Sequence, residues 1–456
     1  MPPRDITELD GAVQKRILFS LCFIIFFSVL NGTMFQVAAP DISRTYEILP
    51  SQVSWVMTAY IVVFAVGTLF YGKLADSYPV KNLITFGLLL MALGSLAGFF
   101  SGWYPMVIAA RIVQAGGGAA IPALAMLVVT KLFRVERRGR TFGIIASTVA
   151  LASAAGPVLG GFISGMIHWK YLFLISIPTV VAIPCFRRYL PERKLIKKRF
   201  DLLGAVLIIC TVLFFLVFVT KGNLWSLAAA SVTAFWFVFH LRYSDVPFLN
   251  PGLFQISAYR NLILGSFLSV GTVFGMLFVI PLMLRDLNSL PTDRIGLIMF
   301  PGAISAVVFG TLGGRFSDRI GSKFVVYAGV GLLTAGFSLL SISSGLAPWV
   351  VSLNLIICYA GFSFLQSSLP HTISVVLPAD QTAVGMGIYN LIFFISGAFS
   401  TALIGRILDF RSDPLADSAA GGIYSSIFLM LAAAIMAACF SFIRSFRIKE
   451  KLQGKA

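Results

Sequence analysis

The sequence predicts an all-α polytopic membrane protein, with two related six-helix bundles and two inserted helices making fourteen spans. Three observations predict it. Of 456 residues, 58% are hydrophobic and only 12% charged, against about 25% charged in a soluble domain. The apolar residues fall into runs near the roughly 20 residues that cross a bilayer. A short charged motif also occurs twice, at matching places in the two halves.

The fourteen runs are 17–38, 53–71, 83–100, 104–130, 141–165, 170–186, 202–220, 223–241, 259–284, 294–313, 324–343, 347–376, 384–406 and 423–443. The polar tail Met1 to Arg16 precedes the first run. No small-residue cleavage site follows that tail, so the run reads as a retained span. Runs 7 and 8 are joined by Lys221 and Gly222 alone, which predicts a tight helical hairpin.

The formal net charge of +17 raises the question of nucleic acid. Its placement answers against that partner. With the N-terminus in the cytoplasm, 27 of the 35 Lys and Arg fall in cytoplasmic segments and seven in outer ones. Arg111 is left inside a span. This is the positive-inside bias, and it places both termini in the cytoplasm and favours an even span count.

The repeated motif begins as Gly72-Lys73-Leu74-Ala75-Asp76 after span 2 and as Gly314-Arg315-Phe316-Ser317-Asp318 after span 10, continuing there as Arg319-Ile320-Gly321-Ser322-Lys323. Gly permits close helix approach, Asp caps a positive helix end, and the basic residues pair across the joint. Gly72, Asp76, Gly314, Asp318 and Arg319 are therefore candidate gating residues. The copies lie about two spans too far apart for adjoining six-span halves. The expected division is a cytoplasmic tail 1–16, a six-helix bundle 17–186, a basic linker with two inserted spans 187–258, a second bundle 259–443 and a basic cytoplasmic tail 444–456. Two pseudo-symmetric halves around a midplane site suit alternating access.

Several chemistries are excluded. The five cysteines are scattered through apolar runs, with neither disulfide nor metal-site spacing. Gly116-Gly117-Gly118 lacks the Gly-Lys-Ser/Thr ending of a phosphate loop. No nucleophile–base pair or paired carboxylates mark an enzyme. No cofactor or metal is expected, and no domain or long tail points to a sensor or scaffold. The expected partners are a small-molecule substrate, protons and the lipid bilayer, with the chain a monomer.

Arg111, Gln114, Gly118 and Pro122 share one face of span 4. A charge inside a span marks a functional site by default. In span 5, Gly143, Ser147, Ala150, Ala154, Pro157 and Gly161 form a small-residue stripe that admits a close neighbour. Gly156 and Pro157 are expected to bend it. All eighteen acids lie in tails, loops or span ends, so the membrane core has no carboxylate to carry a proton. Asp41 at the outer end of span 1 and His371 near the inner end of span 12 are the nearest titrating candidates. Polar and aromatic residues at mid-span depth, namely Asn31, Gln36, Tyr60, Gln114, Ser153, Gln366, Asn390 and Phe393, are candidate substrate contacts together with Arg111.

These motifs resemble those of the major facilitator superfamily, and in particular its fourteen-span drug:proton antiporters. The resemblance rests on both Gly-basic-Asp loops, on Arg111-Ile-Val-Gln114-Ala-Gly-Gly-Gly-Ala-Ala120, on Ala155-Gly156-Pro157-Val158-Leu159-Gly160-Gly161, and on Leu30-Asn31-Gly32-Thr33 with Val37-Ala38-Ala39-Pro40. Phe26 to Asn31 and the general run of the chain look most like the Gram-positive tetracycline efflux proteins. The resemblance implies the major facilitator fold, a bacterial cytoplasmic-membrane location and proton-driven drug export. It also implies a proton-coupling role for Arg111 and a leak-preventing seal at Gly156-Pro157. The chain departs from that pattern at Asn31 and Gly32, where the family carries an acid, and at Pro79 and Val80 in the first loop. A second reading is therefore a facilitator or exchanger of a neutral or anionic solute, with Arg111 holding the anion.

Overall fold

A segment surrounded by hydrocarbon must satisfy its own backbone hydrogen bonds, and a helix does this within one segment. The computed structural model follows that rule. It describes residues 11–133, 135–190, 201–243, 251–378, 381–409 and 420–453. Among these, fourteen helical segments are long and apolar enough to cross a membrane. They match the fourteen runs in order. Below, "basic end" denotes the end carrying the two Gly-basic-Asp loops, and "far end" the other.

The helices overrun the apolar runs. Span 1 is Gly11–Val37, beginning six residues before the run, and span 10 is Thr292–Ser317 within a helix that continues to Ile320. The last helix reaches Gln453, ten residues past its run. Hydropathy marks where hydrocarbon begins, whereas helix hydrogen bonding continues into the polar interface. A short helix, Ala39–Tyr46, follows span 1 at the far end, and its polar residues hid it from an apolarity scan. Span 4 (Tyr104–Thr130) consists of two helical pieces meeting at Ala119, and span 6 (Trp169–Tyr189) begins as a 3₁₀ helix over Trp169–Ala182. Span 5 (Thr141–Met166) is continuous through Pro157.

The inserted pair is the hairpin expected. Span 7 (Leu203–Lys221) ends at Gly222, whose φ of 66° suits glycine and whose N–H bonds the Phe218 carbonyl at 2.7 Å. Span 8 (Leu224–Tyr243) returns beside it.

Glycines set the closest helix contacts. A Cβ on Gly94 of span 3 (Val80–Phe99) would lie 2.5 Å from the Gln114 nitrogen, and one on Gly117 would strike Gly87 and Met91. Within the Gly116–118 stretch it is Gly117 that lets spans 3 and 4 touch backbone to backbone, a packing role.

Candidate functional site

The site is built around Arg111, which is 1% exposed. Its Nη1 donates to Asn31 Oδ1 at 2.8 Å and to Gln114 Oε1 at 2.7 Å, and its Nε donates to the Val56 carbonyl at 3.2 Å. The guanidinium lies between two rings, 4.1 Å from the Phe35 centroid and 3.9 Å from that of Tyr60. Gln114 Nε2 passes the network on to Ser95 Oγ at 2.9 Å and Ser176 Oγ at 3.0 Å. Those two hydroxyls are 2.7 Å apart, and Asn31 Nδ2 reaches Ser176 at 3.4 Å.

Spans 1, 2 (Pro50–Ala75), 3, 4 and 6 all contribute. Each of these partners is neutral. A cation in low dielectric needs donors' complements and polarisable faces, and a desolvated cation–π contact supplies about 2 kcal/mol. Amide oxygens, a carbonyl and two rings thus replace the missing carboxylate. Arg111 and Gln114 meet through the helical i, i+3 spacing.

From Tyr60 a line of rings crosses to the second half. Tyr60 stacks on Phe64 at 5.7 Å, Phe64 meets Phe394 of span 13 (Val384–Asp409) at 5.4 Å, and Phe394 meets Phe393 at 5.2 Å. Phe393 contacts Phe274 of span 9 (Ser257–Asn288) at 5.6 Å. Asn390 is exposed, Ser153 and Gln366 are half-buried, and Gln366 Oε1 accepts from Tyr389 at 3.4 Å. Gln36 is buried, and its Oε1 has no hydrogen-bond partner among the described residues. The structure thus joins Asn31, Tyr60, Arg111 and Gln114 in one network. It places Phe393 on the aromatic line, and among the described residues Gln36, Ser153, Gln366 and Asn390 make no hydrogen bond to that network.

At the far end the halves are closed. A Cβ on Gly161 of span 5 would stand 2.6 Å from the Thr292 carbonyl oxygen and 3.0 Å from Gly296 Cα, both on span 10. The Pro157 carbonyl abuts Gly296 in turn, and Gly156 packs on Thr33 of span 1. The far-end half of span 5 therefore has two faces, one on its own bundle and one on the other.

Asp41 adds an ionic contact. Its Oδ1 accepts from Arg285 Nη2 at 2.5 Å, and its Oδ2 from Ser164 Oγ at 2.5 Å. Across the second seam, Asp409 Oδ1 accepts the Ser51 N–H at 2.9 Å, at the start of span 2. Each half thus lends the other one carboxylate. His168, beside Asp41, has its pKa pushed down by burial first and by Lys170 second, while Asp41 opposes this. Its Nδ1 accepts the Lys170 N–H at 3.2 Å, which only the unprotonated ring can do.

Toward the basic end the same surfaces part. A Cβ on Gly143, Gly310 or Gly314 would meet nothing within 4 Å, and Ser147 is exposed. Gly72 also has open space, and Arg319 is exposed. His371 is exposed and lies 2.8 Å from Ser322 Oγ, which is 2.8 Å from Ser317 Oγ. The side chains of Asp76 and Asp318 lie outside the described residues.

A family model described as Major Facilitator Superfamily matches residues 21–401. The chain belongs to this superfamily. Relatives of similar length include the riboflavin transporter RibZ of Clostridioides difficile, 28% identical over 87% of this chain and 89% of that one. The multidrug transporter protein MdtP of Bacillus subtilis is 26% identical over 89% of this chain and 78% of that one. In fold, the chain is similar to a bacterial homolog of the human lysosomal transporter Spinster in an inward-facing, unoccupied conformation. That match has TM-score 0.65 and 13% identity, covering 96% of this chain and 98% of that one. A peptide transporter, POT, in complex with sulfate matches with TM-score 0.68 and 16% identity, covering 94% of this chain and 95% of that one. A major facilitator protein is thus a membrane transporter, and a small-molecule substrate and the bilayer are its partners.

Within this superfamily member, sequence reasoning missed Phe35, Ser95, Ser176, Arg285 and Asp409. Ser and Phe are too common in spans to signal a site singly. Asp409 had one available signal, a carboxylate three residues after Arg406 at a span end.

Proposed function

We propose that the chain is a secondary transporter that exports small amphipathic compounds, tetracycline-like molecules among them, by alternating access and proton antiport. The observation that carries this reading is the asymmetry of closure. Spans 5 and 10 are sealed backbone to backbone at Gly161 and Gly296, and parted at Gly143 and Gly310. Oriented by its charge bias, with both termini in the cytoplasm of a bacterial cell, the protein rests closed outside and open inside, as a monomer. Gly72, Asp76, Gly156, Pro157, Gly314, Asp318 and Arg319 act at the joints between these states. Arg111, Asp41 and His371 are the proton-coupling candidates, and the mid-span set from Asn31 to Phe393 contacts substrate.

The core also sets a charge preference. Arg111 is a cation in hydrocarbon with neutral partners, and none of the acids lies near mid-span. A cationic substrate would find no counter-charge there, which is costly in low dielectric. Flat neutral or anionic molecules fit the aromatic line and the uncharged amides. The name of RibZ, a riboflavin transporter, supports a flat ring compound of this kind, and that of MdtP, a multidrug transporter, supports transport of drugs.

The same neutral surroundings favour a second reading, in which the protein is a facilitator or exchanger of a neutral or anionic solute dependent on Arg111. Inside-out vesicles separate the two. Proton antiport requires accumulation of tetracycline or riboflavin that collapses when the pH gradient is dissipated. Accumulation unchanged by that treatment rejects antiport and leaves the exchanger.

A further inference from the structure

The inserted hairpin has no task in the alternating-access reading, yet its placement is specific. Span 7 packs on both span 2 and span 13. At the basic end, the Asp201 carboxylate caps the helix through the Gly204 N–H at 2.8 Å and meets His240 of span 8 at 2.7 Å. In the middle, Phe215 stacks on Phe399 of span 13, with centroids 5.9 Å apart and planes at 12°. Ala205 near the basic end and Leu216 beside Phe215 are fully buried. At the far end, a Cβ on Gly222 in the hairpin turn would lie 3.8 Å from Arg406 Nη2 of span 13.

The covered seam behaves unlike the other. Spans 2 and 13 touch at the far end, where a Cβ on Gly405 would lie 3.0 Å from Ser51 Cα. They touch in the middle, where Thr58 donates to the Ala398 carbonyl at 3.4 Å and Phe64 meets Phe394. They touch again toward the basic end, where a Cβ on Gly387 would lie 3.3 Å from Leu69. Spans 5 and 10, with no further helix laid over them among the described residues, part toward the basic end at Gly143, Gly310 and Gly314.

Inside a membrane, helices associate through packing and polar contacts rather than the hydrophobic effect. A third helix packed on both partners of one seam therefore adds to that seam alone. Span 8 supplies the anchor: Trp225, Phe235, Trp236 and Phe239 are exposed, as suits lipid-facing side chains.

We propose that the inserted hairpin straps the span 2/span 13 seam, making that seam the hinge and the span 5/span 10 seam the gate. The proposal rests on the alternating-access reading. It also assigns the substrate's path: amphipathic molecules dissolved in the membrane reach the midplane by the uncovered span 5/span 10 flank.

Spin-label pairs in the full-length protein in lipid nanodiscs test it. One pair, Ile144→Cys with Val308→Cys, spans the gate at exposed positions, and another, Tyr78→Cys with Val384→Cys, spans the hinge. The far end is loosened by Asp41→Asn and, independently, by Gly161→Leu. The gate pair is expected to move to shorter distance while the hinge pair keeps its mean. Adding Phe215→Ala is expected to broaden the hinge distribution. Movement of both pairs overturns the hinge and leaves alternating access standing. A fixed distance at both pairs in both variants overturns the two together. An unchanged hinge distribution in Phe215→Ala overturns the strap.

Discussion

Arg111 is held by shape as much as by charge. Two amide oxygens and a carbonyl lie in reach of its nitrogens, and the rings of Phe35 and Tyr60 cover its two faces. Lysine offers no plane to sandwich and no fork to share between acceptors. Arg111→Lys is therefore expected to lose most transport, although charge is kept, when initial uptake rates are compared at equal expression. Gln114→Leu removes one acceptor from Arg111 Nη1 and one donor from Ser95 and Ser176, which keep their bond to each other. A lost hydrogen bond to a charged group costs about 1.5–3 kcal/mol, read as a lower melting temperature in detergent. Arg111, Gln114, Asn31 and Tyr60 were legible in the sequence because polar residues at mid-span depth are rare. Phe35, Ser95 and Ser176 were not, since their importance comes from neighbours on other spans.

At the scale of one helix, span 5 shows how identical residue types take different roles by depth. Gly143 and Gly161 belong to one small-residue stripe, yet only Gly161 has backbone against it. Gly161→Val forces an overpacked contact, about 1–3 kcal/mol, whereas Gly143→Val enters open space. Thermal unfolding of the two variants is expected to show a lowered midpoint for Gly161→Val and little change for Gly143→Val. The stripe was legible from spacing, and so were all fourteen spans. Helix ends were legible only roughly, because apolarity stops at the interface while the helix continues. The partner of the stripe was illegible: nothing in the sequence pairs Gly161 with Gly296, which lies in the other half and is apposed only by the fold.

For the whole molecule, closure at one end and separation at the other turn two helical bundles into a carrier. The proposed preference against cations rests on the buried cation, Arg111, and on the placement of the acids at span ends. Asn390→Asp places a carboxylate on an exposed position of span 13 next to the aromatic line. It is expected to raise ethidium transport relative to riboflavin in the same vesicles, and an unchanged ratio would remove the electrostatic basis of selectivity. The 6 + 2 + 6 plan was legible from run counting and the repeated loop. The two seams were not, because their carboxylates, Asp41 and Asp409, gain meaning only from Arg285 and Ser51 across the interface.

The most direct measurement follows substrate and protons together in proteoliposomes of the purified protein. With no gradient imposed, adding riboflavin or tetracycline to the side exposing the basic end is expected to drive protons out toward that side as substrate enters. Arg111→Ala is expected to abolish both fluxes. Substrate uptake at the normal rate with no proton movement would contradict proton antiport by this protein.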